Sequence, residues 1–262
     1  MTLITESKLR MMLKNGIPNP FPIQAGDKIT PAATDFLRDR NIEIQDGRSV
    51  QRPKSSSSQR EPELQIPVGI SNRHIHLAPE HVQVLFGDGH ELTKYRDLSQ
   101  PGQFAATEQL TILGPKGFIK NVRILGPVRS ESQVEISVTD GFQLGIHPPT
   151  RLSGSLADTP GITLIGPKGV VVLQQGVIVA KRHIHMSTEN AKTFGVVDGD
   201  ELIIRTAGER PVIFPDVVVR VHPEFSLDLH LDLDEGNSAG LKTGDLATVI
   251  GKNGMFMQRQ GG

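Results

Sequence analysis

The sequence contains no cysteine, no tryptophan and a single tyrosine, and aromatic residues make up only 4% of its 262 positions. Without cysteine there is no disulfide framework, no thiolate metal site and no cysteine nucleophile, and the composition fits a cytosolic protein. With so few rings the core has to be aliphatic. An excess of charge is also lacking, with 28 basic residues against 29 acidic ones. That balance argues against a nucleic-acid or anionic-membrane surface, while leaving room for a local patch that binds a phosphorylated ligand. No apolar run approaches the roughly 20 residues of a membrane-spanning helix, and residues 1–25 carry no secretory apolar region. A soluble intracellular protein is expected. What is abundant is punctuation: 27 Gly and 18 Pro imply frequent turns.

Residues 1–50 read as a separate module. From Thr2 to Lys14 an amphipathic helix is expected, with Ile4, Leu9, Met12 and Leu13 on one face and Ser7, Arg10 and Lys14 opposite. Gly16-Ile17-Pro18-Asn19-Pro20 stops it. Thr30 as N-cap and Pro31 at the first helical position open a second helix through Phe36 and Leu37, and Ile42-Glu43-Ile44 reads as a short strand. Residues 51–63, rich in Ser and charge, cannot repay their ordering entropy and are expected to form a flexible linker.

From residue 64 to 258 the pattern changes to short β-branched runs such as Leu110–Leu113, Val134–Val138, Val170–Leu173 and Val217–Arg220. Many strands with few helices indicate barrels or sandwiches. Two Gly-Pro-Lys-Gly stretches, starting at Gly114 and Gly166, read as structural hairpin turns, since they lack the Walker pattern. A longer repeat is more informative. Gly69-Ile70-Ser71-Asn72-Arg73-His74-Ile75-His76-Leu77 recurs 109 positions later as Ile178-Val179-Ala180-Lys181-Arg182-His183-Ile184-His185-Met186. Each copy leads into a short helix, opened by Pro79 and Glu80 in the first and by Ser187 and Glu189 in the second. Gly87 and Gly195 are placed for left-handed C-caps. The duplication implies two related subdomains.

Side chains alternate along a strand, so His74 and His76 point one way and Ile75 and Leu77 the other, as do His183 and His185 against Ile184 and Met186. A His-x-His pair on a strand is a two-nitrogen metal clamp, and imidazole suits zinc. Random placement of nine His would give about 0.3 such pairs; two occur, each preceded by Arg. The bland alternative is the polar face of a half-exposed strand. A catalytic zinc takes a third protein ligand, and the candidates are Glu135, His147, His222 and His230. Glu135 sits mid-strand between Val134 and Ile136, His230 shares a face with Asp228 and Asp232, and His147 and His222 precede prolines.

The segments Gly69–Leu77, Leu92–Phe104, Val122–Arg129, Gln133–Ser137 and Val179–Met186 resemble those of the phosphate propanoyltransferases of bacterial microcompartments. The resemblance implies a mainly β fold of two small β-barrel subdomains, each with a short helix, plus an α-helical N-terminal extension. It implies two zinc ions per chain, one held by His74, His76 and Glu135, the other by His183, His185 and His230. It places a phosphate-contacting arginine at Arg129 and a coenzyme A pocket at Ser71, Arg123, Leu125 and Asn237. A further pocket position, often Lys in the family, is Arg96 here, which keeps the charge but changes the geometry. Expected partners are coenzyme A, phosphate, a second copy of the chain and, through the N-terminal segment, microcompartment shell proteins. The stretch Lys28–Leu37 is similar to segments of other microcompartment proteins. Two further readings share the His clusters, namely a binuclear zinc hydrolase of thioesters or phosphoesters and a non-catalytic scaffold whose zinc staples two barrels together.

Overall fold

The computed structural model describes residues 2–13, 16–24, 26–38, 40, 42–46 and 64–257. The segment 51–63, read as a linker, lies outside the described residues. The chain divides into two compact units, Met1–Glu61 and Pro62–Gly262.

In the first unit β1 (Leu3–Ile4) leads into α1 (Glu6–Met12), followed by β2 (Phe21–Ile23), β3 (Lys28–Ile29), α2 (Pro31–Arg38) and β4 (Ile44–Asp46). β1 pairs in parallel with β3, and β2 with β4. The extension is therefore a small mixed α/β layer with its own core of Ile4, Leu9, Phe21, Ile23, Ala33, Phe36 and Leu37. Because Leu3 and Ile4 are taken into strand pairing, α1 starts later than Thr2, with the Thr5 hydroxyl accepting from the Lys8 N–H. Only Leu9 of that helix turns inward; Met11, Met12 and Leu13 are 69%, 37% and 46% exposed. Thr30 does cap α2, accepting from the Ala33 N–H at 3.3 Å.

The second unit begins with β5 (Gln65–Ser71), β6 (His74–His76), α3 (Pro79–Phe86), β7 (Lys94–Asp97), β8 (Phe104–Leu113), β9 (Phe118–Gly126), β10 (Gln133–Glu135) and α4 (Val138–Leu144). β11 (Thr150–Arg151), β12 (Ile162–Ile165), β13 (Val170–Leu173) and β14 (Val177–Ala180) come next. The second copy of the repeat then gives β15 (His183–Met186), α5 (Thr188–Phe194), β16 (Glu201–Thr206) and β17 (Ile213–Val221). β18 (Asp228–Asp232), α6 (Leu233–Ala239), β19 (Leu246–Lys252) and β20 (Met255–Phe256) complete the chain.

These strands form two sheets. One runs β16-β17-β15-β18-β5-β19 and closes through a β16–β19 pairing into a six-stranded barrel, with β20 appended to β19. The other runs β11-β14-β10-β6-β9-β8-β12-β13, with β7 beside β8, and curls into a half-barrel without closing. Each encloses an aliphatic core. Ile75, Leu110, Ile124, Val134 and Leu164 fill the half-barrel, and Val68, Ile184, Leu202, Val217 and Leu229 fill the closed barrel. Each sheet carries two short helices, not one: α3 packs on β13 and α4 on β9, while α5 packs on β15 and α6 on β18 and β5.

The repeat is distributed between the sheets. β5, which precedes the first His strand, belongs to the closed barrel, while β6 belongs to the half-barrel. β14, which precedes the second His strand, belongs to the half-barrel, while β15 belongs to the closed barrel. The chain passes from one sheet to the other at Asn72–Arg73 and again at Lys181–Arg182. The pairings are equivalent in both halves: β10 lies antiparallel to β6 and parallel to β14, and β18 lies antiparallel to β15 and parallel to β5.

Both Gly-Pro-Lys-Gly turns close hairpins, with Gly114 N–H donating to Gly117 O and Gly166 N–H to Gly169 O, each at 2.9 Å. They also meet helix ends, since Lys116 N–H donates to Leu144 O of α4 and Lys168 N–H to Leu85 O of α3. A Cβ at Gly114 or Gly166 would collide with those same carbonyls, so glycine is required by close approach. The second helix cap is as expected, Gly195 being left-handed at φ 64°, ψ 39°. Gly87 instead has φ 105°, ψ 159°, outside the left-handed helical region. There the Lys168 N–H takes the Leu85 carbonyl and the Gly87 N–H that of Gln83.

Candidate active site

Ile75 and Ile184 are fully buried on the core side of β6 and β15. A slip of one residue would drive imidazoles into an aliphatic core, so the apolar alternation fixes which face the histidines present. Register then supplies the third member of each cluster. Glu135 of β10 lies opposite His74, and His230 of β18 opposite His183. The candidate ligand atoms of His74, His76 and Glu135 all lie within 4.8 Å of one another, and so do those of His183, His185 and His230. Glu135 and His230 thus hold equivalent places in the two halves. His147 and His222 join neither cluster and pack instead against Phe142 and Phe225.

The arginine of each Arg-His-Ile-His run anchors this geometry. Directly after Glu135, Ser137 caps α4 in a reciprocal box with Asp140; after His230, Asp232 caps α6 in the same way with Glu235. Arg73 places Nε 2.9–3.0 Å from both Asp140 carboxylate oxygens and Nη2 2.8 Å from one of them. Arg182 places Nε 2.8 Å from one Glu235 carboxylate oxygen and Nη1 3.1 Å from Asp216. Each arginine therefore ties the start of its own His strand to the helix that ends the strand bearing the third ligand. Gly69 has a related role, for a Cβ there would sit 3.0 Å from the carboxylate oxygens of Asp228, which approaches His230 Nε2 at 2.9 Å.

Ring tautomers follow from the backbone. Nδ1 of His74 lies 2.9 Å from the Asn72 carbonyl and Nδ1 of His183 lies 2.8 Å from that of Lys181. Both rings donate from Nδ1 and turn the Nε2 lone pair inward, as metal-bound imidazoles do. Nε2 of His183 faces Nε2 of His185 at 3.0 Å, and Nε2 of His74 faces Glu135 Oε2 at 3.4 Å. The buried Nδ1 atoms of His76 and His185 have no hydrogen-bond partner among the described residues. Facing ring nitrogens, and a buried carboxylate against an imidazole, need a proton or a metal cation between them.

The titration behaviour agrees. Burial, then neighbouring His74 and Arg129, pushes His76 down to about 3. Burial and His230 lower His183 to about 4, and burial with His183 lowers His185 to about 2. All three are neutral near pH 7, with lone pairs free to ligate. Burial opposes ionisation of Glu135, yet the charge of His74 and its hydrogen bond hold the carboxyl well below the usual range. His74 itself is raised, since Glu135 outweighs the opposing effect of burial.

Both clusters line one cavity of about 460 Å³. Among the residues expected at the site, Ser71, Arg96, Leu125 and Arg129 line it too. Arg123 and Asn237 do not: the Arg123 guanidinium donates to the Ala106 and Thr107 carbonyls, and Asn237 is exposed on α6. A polar chain links Arg129 to the first cluster. Arg129 Nη1 and Gln133 Nε2 both donate to Ser153 Oγ, at 3.0 and 2.8 Å, and Gln133 Nε2 also donates to Glu135 Oε1. Across the cavity the Gln100 amide, 3% exposed, bonds the Ser226 backbone through both its oxygen and its nitrogen, pinning the 98–103 loop to the loop that presses Phe225 onto the His185 ring. Ser153, Gln100 and Arg220, another lining residue, carry no motif of their own in the sequence.

The sequence profile of the phosphate propanoyltransferases matches residues 67–242. The chain belongs to this family. A phosphate propanoyltransferase of Thermotoga maritima is 55% identical over 186 residues, covering 71% of this chain and 89% of that protein. Those of Rhodopseudomonas palustris and Listeria monocytogenes are 49% and 50% identical, covering 72% of this chain and 84% and 89% of theirs. The family match thus spans both sheets and both clusters and excludes the first unit. No helix among the described residues is long and apolar enough to cross a membrane.

Proposed function

We propose that this chain transfers a short acyl group, propanoyl or acetyl, between coenzyme A and inorganic phosphate, with two zinc ions held by the His74–His76–Glu135 and His183–His185–His230 clusters. The observation that carries this reading is the pair of clusters, each offering three ligand atoms, on the wall of the cavity that also holds Arg129. Nitrogen and carboxylate donors without thiolate, three per cluster, fit zinc with a position left open. Bound there, zinc supplies Lewis-acid stabilisation of negative charge on the thioester sulfur or carbonyl oxygen.

The chain's own groups do the rest. Arg129, held by Ser153, forks onto phosphate and orients one oxygen toward the thioester carbonyl. Ser71, Arg96 and Leu125 line the approach of coenzyme A. The Gln100–Ser226 latch narrows the cavity and limits water, which would otherwise divert the acyl group to free acid. The absence of cysteine excludes a thioester-enzyme, so direct transfer in a ternary complex is favoured.

Purified protein given propanoyl-CoA and phosphate is expected to release coenzyme A and propanoyl phosphate in equal amounts and to contain two zinc per chain. Chelation abolishes the activity and zinc restores it. Free propanoate in place of propanoyl phosphate would make the enzyme a hydrolase and end this reading.

The first unit directs the enzyme into a bacterial microcompartment. In support, it lies outside the family match, and its α1 presents Met11, Met12 and Leu13 to solvent, an apolar strip suited to a shell-protein groove. Deleting residues 1–50 is expected to leave turnover within about twofold, since independent domains retain their own cores, while co-sedimentation with shells is lost. An inactive truncated enzyme would show that the unit serves catalysis instead.

A further inference from the structure

Arg220 stands out by its lack of a partner. It lies on β17, whose parallel pairing with β15 sets Val218 beside His183 and Arg220 beside His185. Val217 and Val219 point into the barrel core, so alternation turns Arg220 to the face that carries the second cluster. There it lines the same cavity as Arg129 and both clusters, and it is half-buried. Apart from Arg96, which is exposed at the cavity rim, the neighbouring arginines and lysines are committed. Arg73 holds Asp140, Arg182 holds Asp216 and Glu235, and Lys181 holds Asp216. Among the described residues the Arg220 guanidinium forms no ion pair and no hydrogen bond. Its electrostatic neighbour across the cavity is the cationic Arg129. Burial, and Arg220 with it, lowers Arg129 against the opposing pull of Glu135.

The acids of the cavity do not answer this charge. Asp228 is engaged with His230, Asp232 caps α6, and Glu135 is held by His74 and Gln133. The comparison between halves sharpens the point. β9 sets Arg123 beside His74, and continuing that register brings Leu125, an apolar residue, beside His76. The half-barrel arginine is tied to two backbone carbonyls, whereas the barrel arginine is displaced by one step of the alternation and left free at the cavity. A half-buried guanidinium without an anion is costly, and two of them on one cavity more so, unless a ligand supplies the charge.

We propose that Arg220 is the second arm of a two-arginine clamp, with Arg129, on inorganic phosphate and on the phosphoryl group of the acyl phosphate. This rests on the acyl-transfer reading above. The phosphate dianion forms a C–O bond to the acyl carbon, the C–S bond breaks with its electron pair going to sulfur, and the phosphate proton goes to the thiolate, giving acyl phosphate and coenzyme A. Arg129 and Arg220 hold the phosphate oxygens that do not attack. Their forks balance the two negative charges that persist from substrate to product.

The test compares Arg220→Gln and Arg220→Lys with the unaltered full chain. For Arg220→Gln, KM for phosphate is expected to rise about 10- to 30-fold, an ordinary loss for one charge-assisted contact, with KM for propanoyl-CoA unchanged. Arg220→Lys recovers part of the loss. Zinc content and melting temperature without ligand stay those of the unaltered chain. Inorganic phosphate alone raises the melting temperature of the unaltered chain, and that rise shrinks in Arg220→Gln. An unchanged KM for phosphate, or a rise confined to propanoyl-CoA, which would assign Arg220 to the coenzyme A phosphates, overturns the proposal. So does loss of the second zinc, which would make Arg220 a support of His185. The phosphate-dependent melting shift is read without turnover. A chain that binds phosphate through Arg220 but makes no acyl phosphate would therefore refute the acyl-transfer reading and leave the clamp standing.

Discussion

Replacing Glu135 by Gln is expected to remove one of two bound zinc ions and to lower acyl transfer by about 10³-fold, corresponding to about 4 kcal/mol of lost charge stabilisation. The shape of the side chain is kept, so the effect isolates its charge. Glu135 is buried, opposes His74 in register and is the only anionic member of the two clusters. Without it the first cluster holds neutral imidazoles beneath the cationic Arg129, and a divalent ion there loses its counter-charge. The symmetry of the fold offers a matched variant. His230 occupies the equivalent position in the second half, so Glu135→His rebuilds the first cluster in the image of the second and is expected to recover zinc content ahead of activity. Metal analysis beside single-turnover assays reads both. Two zinc ions in Glu135→Gln would remove Glu135 from the ligand set.

The second large effect falls on stability. Asp140→Ala is expected to destabilise the fold by about 3 kcal/mol. About 1 kcal/mol comes from the buried Ser137 N–H left without the Asp140 carboxylate and the remainder from breaking a pair with one buried member, discounted because Arg73 remains 30% exposed. For a chain of this size that corresponds to a drop in melting temperature of about 6–12 °C. Zinc affinity should fall at the first cluster and not the second, because Asp140 holds the end of the strand that bears Glu135. Glu235→Ala should do the reverse, weakening the second cluster through Arg182 and α6. Differential scanning and site-resolved metal titration check both variants. Equal loss at both clusters would mean that the two arginines act on the whole fold and not each on its own half.

Much of the site was legible because strand periodicity and duplication speak the same language. His74 and His76 share a face whatever the fold, and a second copy in the same context makes chance an unsatisfying explanation. The arginine beside them was visible, yet its role was not: nothing in Arg-His-Ile-His names Asp140, 67 positions away. Ser153, Gln100 and Arg220 were hidden for the same reason, as each is placed by register or by a loop contact between distant segments. Arg123 and Asn237 rest on the resemblance alone, one bonded through Nη1 to two backbone carbonyls and the other exposed on α6. In the N-terminal unit helical periodicity placed Met12 and Leu13 beside Leu9, but Leu3 and Ile4 are drawn into a strand with Lys28 and Ile29. A helix wheel cannot know that its first turn has been claimed by a sheet.

The closed barrel takes its six strands from both ends of the second unit, β5 and β15 to β19, whereas the half-barrel is built from the uninterrupted run β6 to β14. β5 closes against β18 and β19, pairing Val68 with Leu229 and Pro67 with Leu246 across the whole half-barrel segment. The closed barrel therefore depends on pairings between remote segments, which slow its folding relative to the half-barrel inserted in it. His74, His76 and Glu135 all lie on half-barrel strands and His183, His185 and His230 on closed-barrel strands, so each cluster assembles with its own sheet.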